Sequence, residues 1–178
     1  MKPNLPSLLL LMLALCCGCQ IATQLNVFEQ QTAIPHQSWD AKFRPVFTVN
    51  ITDTTALYDI YVTLRHTNDY RYSNLWLLIT TTYPDGKSIR QRVELPLADA
   101  TGKWFGSGME DIFFHRILIQ HNAYFNRPGT YRFTFEQDMR DNPLPDVMNI
   151  GLRIEKIGRR QQVTADAAKQ VSKPTTQP

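Results

Sequence analysis

The feature that most constrains the fold is a stretch of strict alternation near the middle of the chain. Between Tyr58 and Arg65, every second residue is apolar, namely Tyr58, Ile60, Val62 and Leu64. A period of two is that of a β-strand with one face towards a core and the other towards solvent. The chain is therefore predicted to contain a half-buried strand at this point.

Similar segments, separated by turn residues, lie on both sides of this strand. Pro84–Lys87 and Asn126–Gly129 are strong turn signals, because Pro presets φ and Gly accepts a positive φ. Residues 34–40 favour a loop and 142–146 a rigid, proline-containing link, whereas 112–120 fits either a strand or a short helix. Alternating or continuously apolar runs predict further strands at 25–29, 46–51, 75–83, 88–95, 131–136 and 147–156.

About eight strands with regularly spaced turns, and no convincing long amphipathic helix, indicate an all-β fold. A hydrophobic content of 43% provides for a sizeable core. The pattern favours a single antiparallel β-sandwich of the jelly-roll or immunoglobulin-like kind, with a closed eight-stranded barrel as the main competitor. After Gly158 the chain has few large apolar residues, so the tail is predicted to be disordered.

The N-terminus predicts where the protein is sent. Lys2 and the apolar run Leu8–Leu15 match a secretory signal peptide, and the run is too short to span a bilayer. Three cysteines follow, and Gly18 gives Cys19 the small preceding residue that lipoprotein signal peptidase requires. We therefore expect Cys19 to be lipidated. The competing interpretation is a simple secretory signal in which the cysteines are ordinary small residues.

These patterns divide the chain into four parts. We expect a lipoprotein signal peptide at 1–18, a lipidated tether at 19–24, the β-sandwich domain at 25–157 and the disordered tail at 158–178. No cysteine follows Cys19, so a disulfide within the mature chain is excluded and stability must come from core packing. Acyl chains would hold the protein durably, since each buried methylene contributes about 0.8 kcal/mol.

The formal charge of +3 raises the question of nucleic-acid binding. The excess, however, comes from Lys2 and from the tail after Gly158, and the part between carries 14 basic and 15 acidic residues. Binding of a polyanion needs clustered positive charge on a folded face. No such cluster is evident, so we expect no nucleic-acid partner.

Catalytic chemistry is not evident in the sequence. The four histidines are His36, His66, His115 and His121, and no pair stands at metal-ligand spacing with a third ligand nearby. Six residues separate His115 from His121, and surface or core histidines are favoured there over a zinc site. Gly-x-Ser-x-Gly, a free thiol and a phosphate-binding loop are all missing from the sequence. We predict no enzyme activity, no catalytic residue, no metal and no cofactor.

The glycine-rich segment 98–108 carries two bulky aromatic residues, Trp104 and Phe105. On a loop with glycine hinges they could form a docking surface, because aromatic side chains supply much of the energy at interfaces. They could instead fold back and plug an open end of the sandwich. Sequence alone favours the plug.

Several distinctive blocks occur in order along the chain, among them LRHTNDYRYSNLW (64–76) and LADATGKWFGSG (97–108). They resemble the LRHT…YPYSNLW signature and the LADxxGxWxGxG block of the gliding motility lipoprotein GldH family of the Bacteroidota. Arg71 stands where Pro is expected, and Phe105 where Leu is usual. Further matching blocks lie at 125–131, 137–140, 143–144 and 151–156.

The resemblance implies an anchored accessory component linked to gliding motility and the associated secretion apparatus. We expect it to act by contact with other envelope, motility or secretion proteins. The family also occurs in non-gliding members, and no catalytic residues carry over from it. The alternative to an interaction surface is that the segment from Arg65 to Trp76 serves only to pack the fold, with Trp76 in the core. The interaction surface that we expect consists of Arg65, His66, Asp69, Tyr70, Tyr72 and Trp104.

Residues Gln20–Thr23 bear on the location of the domain. Surface-exported lipoproteins of this phylum often carry acidic residues directly after the acylated cysteine, whereas these four are uncharged. We therefore expect an outer-membrane protein that faces the periplasm. Two other functions compete with protein contact. One is a glycan-binding module in which Tyr70, Tyr72 or Trp104 stacks on sugars, and the other is a hydrolase.

Overall fold

The computed structural model describes residues 26–160. The predicted signal peptide, the lipidated tether with Cys19 and positions 161–178 of the predicted tail lie outside the described residues. The last strand continues to Arg159, two residues beyond the predicted domain boundary. None of the helices in the described part of the chain is long and apolar enough to cross a membrane.

Eleven strands and one 3-10 turn (Pro35–Gln37) form the described part of the chain. Eight strands are six residues or longer, and the segment 112–120 belongs to one of these, which settles the choice between strand and helix. In chain order the strands are β1 (Asn26–Ala33), β2 (Ser38–Trp39), β3 (Val46–Ile51), β4 (Ala56–Thr67), β5 (Asn74–Thr82), β6 (Ser88–Pro96), β7 (Ser107–Met109), β8 (Ile112–Ala123), β9 (Gly129–Gln137), β10 (Leu144–Pro145) and β11 (Val147–Arg159).

The long strands form two antiparallel sheets that face each other. The first has the order β1-β11-β4-β8-β7, the second β3-β9-β5-β6, and β10 pairs with β2 in a small third sheet. Both main sheets are open and retain edge strands, so the predicted β-sandwich is confirmed and the closed barrel is wrong. Sequence alternation causes this arrangement, because each strand turns one apolar row inwards.

The predicted alternation of β4 holds along its whole length. Its inward row, from Ala56 through Tyr58 and Ile60 to Leu64, is buried against the second sheet. That sheet contributes Phe47 and Phe135, whose rings lie 5.0 Å apart. Each fully buried side chain of this size contributes roughly 1.5–3 kcal/mol, so these rows supply much of the stability of a domain without disulfides.

The structure differs from the sequence-based expectations in two short segments and at Trp76. Residues 34–40 and 142–146 contain the paired strands β2 and β10 and bury Trp39 and Leu144 completely. The Trp39 indole N–H donates a hydrogen bond to the backbone carbonyl of Phe43 at 2.8 Å, so no polar group is left unpaired when the ring is buried. Trp76, in contrast, lies half-buried on the outer face of β5. The guanidinium of Arg92 covers its ring at 3.9 Å.

The sandwich has two distinct ends. At the terminal end the described chain enters at Asn26 and leaves at Arg160, since Asn26 pairs with Glu155 and Arg159 with Ala56. This end comprises the turns 52–55, 83–87 and 124–128 and the last residues, 156–160. The loop end lies opposite and comprises the connections 34–45, 68–73, 97–111 and 138–146.

Candidate functional site

The loop end encloses a buried pair of histidines, His66 and His115. His66 continues the inward row of β4 and is fully buried, and His115 of β8 is 2% exposed. Leu64 pairs with His115 and His66 pairs with Phe113. The two histidines are therefore diagonal neighbours on one face, close enough for their side chains to touch.

The two imidazoles form a hydrogen bond with each other. Their Nε2 atoms are 2.9 Å apart, and His66 Nδ1 lies 2.7 Å from the carbonyl oxygen of Thr67. Because that carbonyl only accepts, we assign the proton of His66 to Nδ1, which leaves its Nε2 as an acceptor. His115 then donates from Nε2, so both rings are neutral.

Burial favours the neutral state of both rings. It lowers the pKa of His66 below its usual value. For His115, burial and the neighbouring His66 together lower the pKa to about 4. A second proton on this pair would place two like charges in contact in the interior. The pair is thus a neutral element of the fold above about pH 6.5.

Aromatic rings close the space around the histidine pair. The rings of Trp104 and Tyr70 lie 4.5 and 5.1 Å from that of His66, and Phe113 stacks on it at 5.8 Å. The Tyr70 hydroxyl donates to the carbonyl of Asn74 at 2.9 Å. We call His66, Tyr70, Trp104, Phe113 and His115 the histidine cluster. It joins the first sheet to two loops.

Sequence reasoning missed this pair because 49 residues separate its members. The period-two pattern of β4 places residue 66 inwards, so half of the signal was available. The inward orientation of His115, however, could not be predicted without knowing that its strand, β8, pairs with β4. His121 lies on the outer face, away from His115, and donates a hydrogen bond from Nδ1 to the carboxylate of Asp59 at 2.8 Å. Across residues 26–160, no group of three or more His, Cys, Asp or Glu is placed to hold a metal ion.

The structure separates the six residues of the expected interaction surface. His66 and Tyr70 are buried, so neither can contact a partner in this conformation, and for these two the expected exposure was wrong. Trp104 is half-buried and packs on His66 and Phe113, as the plug interpretation requires. Arg65, Asp69 and Tyr72 remain accessible: Asp69 is exposed and the other two are half-buried.

Within the described residues, Arg65 and Asp69 do not form an ion pair with each other. Arg65 instead lies with its guanidinium 5.9 Å from the ring of Phe114, and no Arg65–Asp69 pair occurs among the ion pairs of residues 26–160. A nearby pair at the loop end joins Arg71 to Asp141 at 3.4 Å. Asp69 therefore keeps its carboxylate free for solvent or a partner.

Beside Trp104, the loop end exposes large apolar side chains. Phe105 is 63% exposed and Met109 80%, and Ile112, the cross-strand partner of Met109, is 38% exposed. We call Phe105, Met109 and Ile112 the apolar tip. The two adjacent aromatic residues of the loop thus have opposite roles, since Trp104 plugs the end of the sandwich and Phe105 points away from it.

Hydrogen bonds within the loop 97–106 hold Phe105 of the apolar tip in place. One carboxylate oxygen of Asp99 accepts from the backbone and hydroxyl of Thr101 and from the backbone of Lys103, at 2.7–3.0 Å. These bonds lower the pKa of Asp99. The backbone of Phe105 also donates to the carbonyl of Leu97 at 2.8 Å. The loop therefore presents its exposed side chains in a fixed geometry.

The two ends differ in charge. The connections of the loop end carry eight acidic and five basic side chains, whereas the terminal end carries two acidic and five basic ones. The acids of the loop end are Asp40, Asp69, Asp99, Glu110, Asp111, Asp138, Asp141 and Asp146. The basic residues of the terminal end are Lys87, Arg127, Lys156, Arg159 and Arg160.

Fold and site together define a small β-sandwich module that presents one ordered, acidic and partly apolar loop surface. The sequence profile of the GldH lipoprotein family matches residues 26–154 of the chain. The chain belongs to this family, and the resemblance of its sequence blocks is thereby confirmed.

Two relatives carry the corresponding names. The gliding motility lipoprotein GldH homolog of Christiangramia forsetii is 33% identical over 138 residues, which cover 74% of this chain and 84% of that protein. The gliding motility lipoprotein GldH of Flavobacterium johnsoniae is 25% identical over 138 residues, covering 74% and 85%. The chain is thus a member of a lipoprotein family named for gliding motility.

Similarity to solved structures is weaker. A carbohydrate-binding module specific for non-crystalline cellulose aligns with a TM-score of 0.38 and 6% identity, over 75% of this chain and 73% of that one. An α-glucuronidase specific for decorated arabinogalactans gives a TM-score of 0.38 at 8% identity, over 75% of this chain and 18% of its own.

Proposed function

We propose that this protein is an accessory lipoprotein of the outer membrane, anchored through Cys19, that serves gliding motility and the associated secretion apparatus by protein–protein contact at its loop end. The observation that carries the proposal is the arrangement of the two ends. The described chain begins and ends at the terminal end, and the apolar tip lies at the opposite one.

The length of the tether supports this orientation. Only six residues separate Cys19 from Asn26, and the seven residue steps between them span at most about 25 Å when fully extended. An anchor on Cys19 would therefore keep the terminal end close to the bilayer. The loop end, one strand length further away, would face the neighbouring proteins.

The chemistry of the loop end suits a protein partner. Exposed apolar side chains such as Phe105 and Met109 act as anchors in interfaces, and surrounding charges select the partner. Because acids predominate at this end, the complementary surface would be basic around an apolar pocket. The fixed geometry of the loop 97–106 reduces the entropy lost on binding.

A glycan-binding role receives less support from these residues. Sugars stack on exposed aromatic rings, but Tyr70 is buried and Trp104 has packed much of its ring against His66. Tyr72 is half-buried, and its ring lies edge-on to that of Tyr70. These three residues do not form an exposed aromatic row.

Affinity capture from the organism's own envelope tests the partner contact. The native lipoprotein is compared with the double variant Phe105→Ser/Met109→Ser, and with Leu118→Ser as the control. Leu118 is also exposed, at 46%, but lies on the sheet away from the tip. We expect motility or secretion components with the native protein and the control, and their loss with the double variant. Equal recovery by all three would refute a contact at the apolar tip.

The side of the membrane is tested separately. We propose that the uncharged segment Gln20–Thr23 leaves the domain in the periplasm. Protease added to intact cells should then spare the native protein. A variant with acidic residues at 21–23 should become accessible. Digestion of the native protein on intact cells would contradict the periplasmic placement.

A further inference from the structure

A cleft of about 570 Å³ opens at the terminal end, between the two sheets. One wall is the β5–β6 turn with Tyr83 and Lys87, and the other is the end of β8 and the following turn, with Tyr124 and Arg127. Arg127 bridges the walls through an ion pair with Asp85 at 3.1 Å. The cleft is therefore a built feature that spans both sheets.

Packed aromatic rings form the floor of the cleft. The ring of Tyr131 lies 4.7 Å from that of Phe125 and 5.8 Å from that of Tyr83. Phe125 also contacts Tyr58 of the core, at 5.2 Å between ring centroids. Because these rings tie the cleft to the core, its walls are held in place without a ligand.

The rim of the cleft is aromatic, apolar and basic. Tyr124 is 52% exposed and Ile89 46%. The guanidinium of Arg160 lies 4.7 Å from the Tyr124 ring. Both acids of this end are engaged, Asp53 by Lys156 at 2.5 Å and Asp85 by Arg127.

Three cations remain at this end without an acidic partner. Lys87, Arg159 and Arg160 form no ion pair within residues 26–160. Exposed tyrosine beside lysine and arginine is the composition of protein surfaces at the lipid headgroup level. Cations close to an anionic leaflet are attracted by its negative surface potential. The rim thus has the chemistry of a surface that lies on lipid.

From these observations we infer that the terminal-end cleft binds the headgroups of anionic phospholipids in the membrane that holds the anchor. Lys87 and the guanidinium nitrogens of Arg127 other than the Nη1 that holds Asp85 bind the headgroup phosphate. Tyr124 and Ile89 lie at the boundary of the acyl chains. This inference rests on the proposed anchoring at Cys19. It adds that the domain is seated on the bilayer in one orientation and does not merely hang from its tether.

Spin labels on the acylated mature protein test the seating. Gly158→Cys places a label at the terminal end, where an added side chain meets no atom within 4 Å, and Ala100→Cys places one at the loop end. Lipidation consumes Cys19, so each variant has one free thiol. Vesicles of phosphatidylcholine alone are compared with vesicles in which a quarter of the lipid is phosphatidylglycerol.

We expect the phosphatidylglycerol vesicles to shield the label at 158 from a water-soluble relaxation agent about threefold more than the neutral vesicles do, and 0.5 M salt to remove the difference. The label at 100 should respond equally to both. Lys87→Gln/Arg127→Gln should abolish the shielding at 158. The matched loop-end variant Lys42→Gln/Arg71→Gln, which also removes two exposed cations, should retain it.

The outcomes separate the inference from the proposed function. Vesicle-bound protein whose label at 158 is equally accessible in both lipids would overturn the cleft inference and leave the anchor intact. Shielding that persists in Lys87→Gln/Arg127→Gln would overturn the assignment to the cleft. Protein that fails to sediment with either vesicle would overturn both the anchor and this inference.

Discussion

At the terminal end, strands are joined by turns of four or five residues, whereas connections of six to fifteen residues cover the loop end. The short turns leave an open cleft with a basic rim. The long connections fold inwards and bury Trp39, Tyr70 and Leu144 beneath an acidic surface. A single sandwich can thus give its two ends different chemistry, because the loops vary while the sheets remain regular. The following predictions test how far this difference extends.

The largest expected effect comes from a matched pair of glycine substitutions. A Cβ at Gly106 would lie 2.6 Å from the Phe114 carbonyl oxygen and 2.8 Å from His115, whereas one at Gly158 meets nothing within 4 Å. Gly106→Ala should lower the free energy of unfolding by about 3 kcal/mol, and Gly158→Ala by less than about 0.5 kcal/mol. Urea unfolding measures both. Equal losses would show that the loop end is not tightly packed on the histidine cluster.

The second prediction concerns pH. The pKa of His115 is about 4 in the fold, against about 6.5 in an unfolded chain, so the unfolded state binds more protons as the pH falls below 6.5. The titration of His115 alone should leave stability constant above that value and lower it by about 1.4 kcal/mol per pH unit below it, or about 2 kcal/mol by pH 5. His66, whose pKa is also lowered by burial, should add to this loss. Urea unfolding at pH 7.5, 6.5, 5.5 and 5.0 measures this slope.

A variant and a control identify the source of the slope. His115→Gln removes one of the two buried titrating rings and should reduce the slope between pH 6.5 and 5, whatever its effect at pH 7.5, and His66 accounts for the slope that remains. His121→Gln removes a histidine whose side chain is 60% exposed and should retain the slope of the native protein. Parallel slopes for His115→Gln and the native protein would contradict the assignment to the buried pair.

The smallest effect distinguishes two cation–aromatic contacts. Arg92 lies 3.9 Å from the Trp76 ring and also donates to Asp138 at 2.6 Å, whereas Arg160 lies 4.7 Å from the Tyr124 ring. Arg92→Lys should lower the free energy of unfolding by about 0.5–1 kcal/mol. The change in Arg160→Lys should be smaller, because no ion pair within residues 26–160 supports that contact. Thermal unfolding of both variants gives the comparison, and the reverse order would contradict it.

Much of the fold followed from local pattern. The alternation of β4 and the turn at Pro84–Lys87 place each side chain correctly, because a strand with one buried face records its orientation in the sequence. Trp39 and Leu144 did not follow, since their two-residue strands are too short to show a period. Trp76 was wrongly placed in the core because the start of β5 is apolar on both of its faces. Only the structure shows that Trp76 lies on the outer face, where Arg92 covers its ring.

The candidate site was less predictable for a different reason. His66 and His115 meet through a long-range strand pairing, and period-two patterning says nothing about which strands are neighbours. The loop 98–108 was predicted to be a docking surface or a plug, and the structure packs Trp104 inwards and leaves Phe105 exposed. Such a division depends on the course of the loop backbone. It is not encoded in the type of residue.

Photo-crosslinking in living cells tests most directly the central claim that the loop end contacts a partner while the terminal end faces lipid. A photoreactive phenylalanine analogue replaces Phe105 at the apolar tip in one strain and Ile89 at the cleft rim in another, both exposed positions. The account predicts a discrete protein adduct from position 105 and none from position 89. A protein adduct from position 89 alone would contradict it.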